Sequence, residues 1–146
     1  MTETPKIDKS AIRHASTVIV LRDRTTNPRV LMGQRGAKAA FMPNKFVFPG
    51  GAVDAADADV AFAKPLADLC ATRLTERGDG VTPNALAAAA IREMVEETGL
   101  RISAPTDNAI TTDWDNFDRD GEGPDASPLH YFFRAITPPG RPRSFC

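Results

Sequence analysis

Cysteine and histidine are scarce in this 146-residue chain, which has two of each. Cys70 and Cys146 cannot supply the framework of bridges that staples small secreted domains, so reduced thiols are expected. His14 and His130 fall at no spacing used by metal-binding histidines, and each reads as structural. Charge of one sign is not in excess either. The formal net charge is -1 and no long basic block occurs, which removes the electrostatic footprint of a duplex nucleic-acid binder. There is no run of about 18 apolar residues, the length that would suggest a membrane span. The N-terminal stretch MTETPKIDKSAIRHAS is polar where a secretory leader would be apolar. The expectation is a cytoplasmic, soluble protein with no nucleic-acid and no membrane partner. Repeats and low-complexity tracts are also missing, apart from alanine enrichment between residues 52 and 90.

With 42% hydrophobic and 25% charged positions, residues 1–146 suit one globular domain with a modest core. Two stretches rich in β-branched and other apolar residues, Ser16 to Arg22 and Arg29 to Arg35, flank the turn-like DRTTNP and predict a β-hairpin. A short apolar piece, KFVFPGG, then ends in a Pro-Gly-Gly break. From Ala52 to Arg77 the chain is polar and alanine-rich, and helical in pattern, with Pro65 limiting any single helix. Cys70 fits an apolar position in it. Beyond residue 100 come LRISA, a polar loop containing Trp114 and DRDGEGPD, and a strand candidate, HYFFRAIT, before PPGRPR.

The informative segment is TPNALAAAAIREMVEETGL, residues 82 to 100. Thr82 is a good helix N-cap, Pro83 suits the first helical position, and Gly99 can adopt the left-handed conformation that closes a helix. At about 100° per residue Ala87, Ala88, Ile91, Met94 and Val95 gather on one side, while Glu93, Glu96 and Glu97 share roughly a 100° arc on the other. Like charges at this spacing cost a helix roughly 0.2–0.5 kcal/mol per pair. Two readings offset that cost. One is a solvated acidic face partnered by Arg92 and other basic residues. The other is divalent cations among the carboxylates; hard oxygen ligands suit Mg²⁺, which shares its coordination sphere with substrate phosphates.

REMVEETGL, Arg92 to Leu100, resembles the second half of the Nudix box, with Arg92, Glu93, Met94, Glu96, Glu97, Gly99 and Leu100 at every specified position. The upstream FVFPGG resembles the strand and glycine pair, here Gly50 and Gly51, that precede the box in the same superfamily. The halves are set apart. Gly51 and Arg92 lie 41 positions from each other, so about 27 residues are inserted relative to a compact box, roughly residues 55–80. The first box glutamate has no direct match: counting from Gly51 reaches Asp57, counting back from Arg92 reaches Asn84, and Asp54 or Asp57 are the substitutes. The long insertion resembles the branch that includes coenzyme A diphosphatase-like members.

The resemblance implies an α/β fold with a mixed β-sheet flanked by helices, and a Mg²⁺- or Mn²⁺-dependent hydrolase. Its substrate would be a nucleoside diphosphate joined to another group, of the CoA, acyl-CoA or ADP-ribose type. Glu93, Glu96 and Glu97 carry over as metal ligands, Glu93 also as the general base. Gly51 would offer its backbone carbonyl or permit a close turn, and Arg92 would orient a glutamate, a surface ion pair being its plainer role. Arg35 and Lys45 could meet phosphate or be strand-edge charges. Phe46, Phe48, Phe132 and Phe133 read as core before base-stacking. Two rival functions stand: a catalytically weak or inactive nucleotide- or CoA-binding module, and an acidic interaction helix. Nudix domains continue beyond the box through more strands and a closing helix, so C-terminal truncation is expected here, with exposed sheet edges completed by a homodimer partner. The insertion is expected at the surface, not in the core.

Overall fold

Sixteen consecutive residues, Pro83–Thr98, form the central helix because both ends are chemically specified. Thr82 Oγ1 accepts the Ala85 N–H at 3.1 Å, Pro83 stands at the first position, and Gly99 closes the helix at φ 74°. In the computed structural model, which describes residues 13–39, 43–76, 80–107 and 121–136, the other elements are short. In chain order the strands are β1 (Ala15–Thr17), β2 (Leu21–Arg22), β3 (Arg29–Val30), β4 (Gly33–Gln34), β5 (Phe46–Val47), β6 (Gly50–Ala52), β7 (Ser103–Pro105) and β8 (Glu122–Pro124). The helices are α1 (Asp68–Thr75) and α2 (Pro83–Thr98), and a 3₁₀ turn occupies Ala55–Asp59. Arg77, Trp114, Cys146 and the PPGRPR segment lie outside the described residues.

The hairpin forms where DRTTNP predicts it. Leu21 pairs with Val30 and Arg22 with Arg29, while Asp23 turns the chain at φ 55°, a conformation aspartate tolerates. The ladder is shorter than the apolar run suggests, because β1 takes a different partner. It pairs antiparallel with β6, Ser16 opposite Gly51 and Thr17 opposite Gly50. The glycine pair is therefore part of a strand and not a break. A Cβ on Gly50 would overlap the backbone of Ser16 and Thr17, so the absence of side chains there is what lets the strand form. The other two ladders, β4–β5 and β7–β8, are also antiparallel, and a parallel bridge joins Lys64 to Asp125.

The core is the alanine face of α2. Ala85 to Ala90, Ile91, Met94 and Val95 are all buried, and the 3₁₀ turn, β1 and β6 close over this helix. Small side chains permit that approach, which explains the alanine run. Ser16 Oγ fixes β1 to the helix by donating to the Leu86 carbonyl at 2.7 Å.

Three expectations are overturned. The insertion is not merely superficial: Val60 and Cys70 are buried, and Phe62 and Leu66 pack on the Ala87, Ile91, Val95, Ala126 cluster. A low alanine surface needs larger apolar groups to cover it, and this stretch supplies them. HYFFRAIT shows no strand at His130–Arg134, whereas β8 arises inside the glycine-rich polar loop and pairs with β7. Phe132, Phe133 and Phe46 are exposed, not core, since no described element packs over them; the first two contact each other edge to face at 5.4 Å.

Candidate active site

A guanidinium organises the site from below. Arg92 projects from α2 with only 10% of its side chain exposed, and its donors are distributed over three elements. Nε and one terminal nitrogen donate to the two Asp57 oxygens, each at 3.0 Å, in the bidentate geometry that suits Arg and carboxylate. That second nitrogen also donates to the Ala52 carbonyl at 2.9 Å. The remaining nitrogen donates to Glu93 Oε1 at 3.0 Å and lies 3.5 Å from Glu96. Asp54 is a further neighbour at 3.5 Å. Asp57 raises the Arg92 guanidinium above its ordinary value, chiefly through these hydrogen bonds. A surface ion pair does not describe this residue.

Of the two candidates Asp54 and Asp57, Asp57 is the one that pairs bidentately with Arg92. It is 1% exposed, and its Oδ2 also accepts the Asp54 N–H at 2.8 Å, while Asp54 is two-thirds exposed. Asp57, reached by counting forward from Gly51, is the buried one of the two.

Glu93, Glu96 and Glu97 stand along the α2 face next to the glycine strand. Glu93 is 16% exposed and lies so close to Gly51 that a Cβ there would overlap its carboxyl group. Gly51 thus permits a close approach of strand and carboxylate, not a tight turn. Burial raises the Glu93 carboxyl above the usual range; Arg92 opposes that shift, and Glu96 and Glu97 add to it by repulsion. Glu97 is tied to the same strand, because the Gly50 N–H donates to its Oε2 at 3.3 Å. Glu96 is open, at 58% side-chain exposure.

Arg35 and Lys45 adjoin one another at the end of the β4–β5 hairpin, where the Arg35 N–H donates to the Lys45 carbonyl at 2.9 Å. Among the described residues neither side chain forms an ion pair with Glu93, Glu96 or Glu97. A cavity of about 640 Å³ opens beside the network, with Arg13, His14, Asp54, Val81 and Thr82 in its wall. Asp54 belongs to both. His14 Nδ1 is buried without a hydrogen-bond partner among the described residues. Sequence reasoning missed the Ala52 carbonyl, which has no local signal.

No family model matches the chain. A Caenorhabditis elegans protein provisionally named nudix hydrolase 7 is 40% identical over 91 residues, which is 62% of this chain. The matched region is 23% of that relative, so the chain spans about a quarter of its length. The crystal structure of a NUDIX hydrolase from Alicyclobacillus acidocaldarius superposes with a TM-score of 0.67 at 29% identity, covering 93% of this chain and 67% of the other. The box residues sit on a capped helix against the glycine strand, in a chain whose fold and sequence both match named relatives. In sequence over those 91 residues, and in fold over most of its length, the chain is similar to Nudix hydrolases.

Proposed function

We propose that the chain hydrolyses the pyrophosphate linkage of a nucleoside diphosphate derivative with the help of Mg²⁺ or Mn²⁺. The observation that carries this is the placement of Glu93 against Gly51 and of Glu97 against Gly50, with Glu96 beside them 3.5 Å from Arg92. Their donor chemistry fits a hard cation, since all are carboxylate oxygens. The electrostatics fit as well: Glu93 is desolvated and repelled by two neighbours, a cost that a bound cation would relieve. Glu93, Glu96 and Glu97 would hold it. A metal bound there would neutralise phosphate charge and acidify the attacking water.

The protein's own contributions are positional. Arg92 fixes the orientation of Glu93, and Asp57 fixes Arg92. The Gly50 N–H restrains Glu97. Glu93, held beside Gly51 by Arg92, would serve either as a metal ligand or as the general base that takes a proton from water. The cavity at Asp54 and Thr82 offers room for the substrate next to the Arg92 network, which it meets at Asp54.

The test is hydrolysis of ADP-ribose, NAD, CoA, acyl-CoA and dinucleoside polyphosphates with Mg²⁺ and with Mn²⁺. Metal-dependent cleavage of at least one is expected. Preference for CoA compounds would support the coenzyme A diphosphatase-like branch. Binding without turnover in every case would overturn the proposal in favour of a nucleotide- or CoA-binding module.

The two glycines give a sharper expectation with the same assay. Gly51→Ala should displace the Glu93 carboxylate and lower activity on the order of 10–100-fold, as misplaced catalytic groups do. Its melting temperature should change little, because the obstructing atoms are at the end of a flexible side chain. Gly50→Ala meets backbone instead and should lose stability first. Equal effects of the two substitutions on melting would contradict this assignment.

A further inference from the structure

Asn84 stands eight positions before Arg92, the place where a compact box would carry its first glutamate. It is the second residue of α2 and half-buried. Its Nδ2 donates to two carbonyls, Ala58 O and Val60 O, each at 3.2 Å. The orientation of the amide follows from these partners, since the opposite flip would set its oxygen against both. Ala58 and Val60 follow Asp57 directly. The chain departs on its insertion at this point and returns at Thr82, so the Asn84 amide joins the two ends of the excursion.

The broken box is thereby reassembled from both sides. Asp57 keeps the spacing from the glycine and supplies the carboxylate, while Asn84 keeps the spacing from the arginine and grips the turn that carries that carboxylate. Within the turn the Asp57 N–H donates to Asp54 O at 3.1 Å and the Val60 N–H to Asp57 O at 3.4 Å, and the Asn84 amide adds two bonds from outside it. We propose that Asn84 is a positioning residue, whose amide clamps the 3₁₀ turn to the start of α2 and so holds Asp57 against Arg92 and, through Arg92, sets Glu93. The consequence for catalysis rests on the function proposed above; the clamp itself does not.

Asn84→Asp separates this from a plain helix-start role. In the first turn of a helix an aspartate is as good as asparagine or better, because its charge complements the helix dipole. As a clamp it fails, since a carboxylate cannot donate to two carbonyls. The readout is hydrogen exchange at Arg92 Nε–H in the metal-free protein, assigned by its loss in Arg92→Lys. That proton is bonded to the buried Asp57 Oδ1 and exchanges only on local opening. In Asn84→Asp it should exchange at least about 10-fold faster while global unfolding in urea is unchanged. Asn84→Ala, which adds no charge, should shift it in the same direction. In the diphosphate assay kcat should fall about 10-fold, the usual effect of losing an outer-shell support, with KM changing less than about two-fold.

Unchanged Arg92 exchange in both variants would overturn the clamp, whatever the protein hydrolyses. So would faster exchange matched by an equal loss of global stability. If the unmodified protein cleaves no diphosphate, the proposed function falls and the exchange measurement alone decides the role of Asn84.

Discussion

Asp57→Ala is expected to cost about 3–5 kcal/mol of folding stability, the range seen when one partner of a buried ion pair is removed. For a chain of this size that corresponds to a drop in melting temperature of roughly 10 °C or more. The reason is the charge left behind. Arg92 has 10% of its side chain exposed and loses both bidentate bonds at once, and no water reaches Asp57, at 1% exposure, to replace them. The Asp54 N–H also loses its acceptor. Glu93, Glu96 and the Ala52 carbonyl still compensate the guanidinium in part, which places the cost nearer 3 than 5 kcal/mol. Asp57→Asn should cost less because it preserves shape and one acceptor oxygen. Urea unfolding of the metal-free protein measures both, and a loss below about 1 kcal/mol for Asp57→Ala would mean that the pair is solvated, as surface pairs are.

The same residue marks the boundary of what the sequence discloses. The central helix is legible to within a residue, since its cap, first proline, terminal glycine and apolar period are all local. Its carboxylate face is legible for the same reason. Asp57 is not, because the insertion breaks the interval on which the box depends. Spacing offers Asp57 from one side and Asn84 from the other, and only the fold shows that both belong to one arrangement.

Strand pairing is similarly non-local. Ser16 to Arg22 reads as one strand, yet β1 pairs with the glycine strand 35 residues onward and β2 with the adjoining hairpin arm. The β8 strand has neither β-branched residues nor alternation. It is held through its backbone and by Ser103 Oγ, which donates to Glu122 at 2.6 Å, a partnership that no propensity announces. The alanine run shows the converse. Its helix is obvious, but a smooth helix face says nothing of what will cover it, and the insertion was the element that did.

Glu93→Gln should bring the largest functional loss, on the order of 100–1,000-fold in rate, as when a group that stabilises transition-state charge is removed. An equivalent expectation of at least about 100-fold holds for Glu97→Gln. Stability should move the other way. The raised Glu93 carboxyl means that its ionisation opposes folding, so the folded state binds this proton more tightly than the unfolded one. The penalty is absent at pH values low enough for both states to be protonated, and it grows as pH rises through and above the ordinary carboxylate range. Glutamine cannot ionise, and its carbonyl oxygen can still accept from Arg92. Metal-free Glu93→Gln should therefore melt at or above the temperature of the unmodified protein at neutral pH. That advantage should vanish on acidification below pH about 4. Added Mn²⁺ should then narrow or reverse the difference, because it stabilises only the protein whose carboxylates bind it. An active Glu93→Gln protein would remove the carboxylate from the chemistry, and one that melts well below the unmodified protein at neutral pH would show its charge to be a structural support and not a cost carried for function.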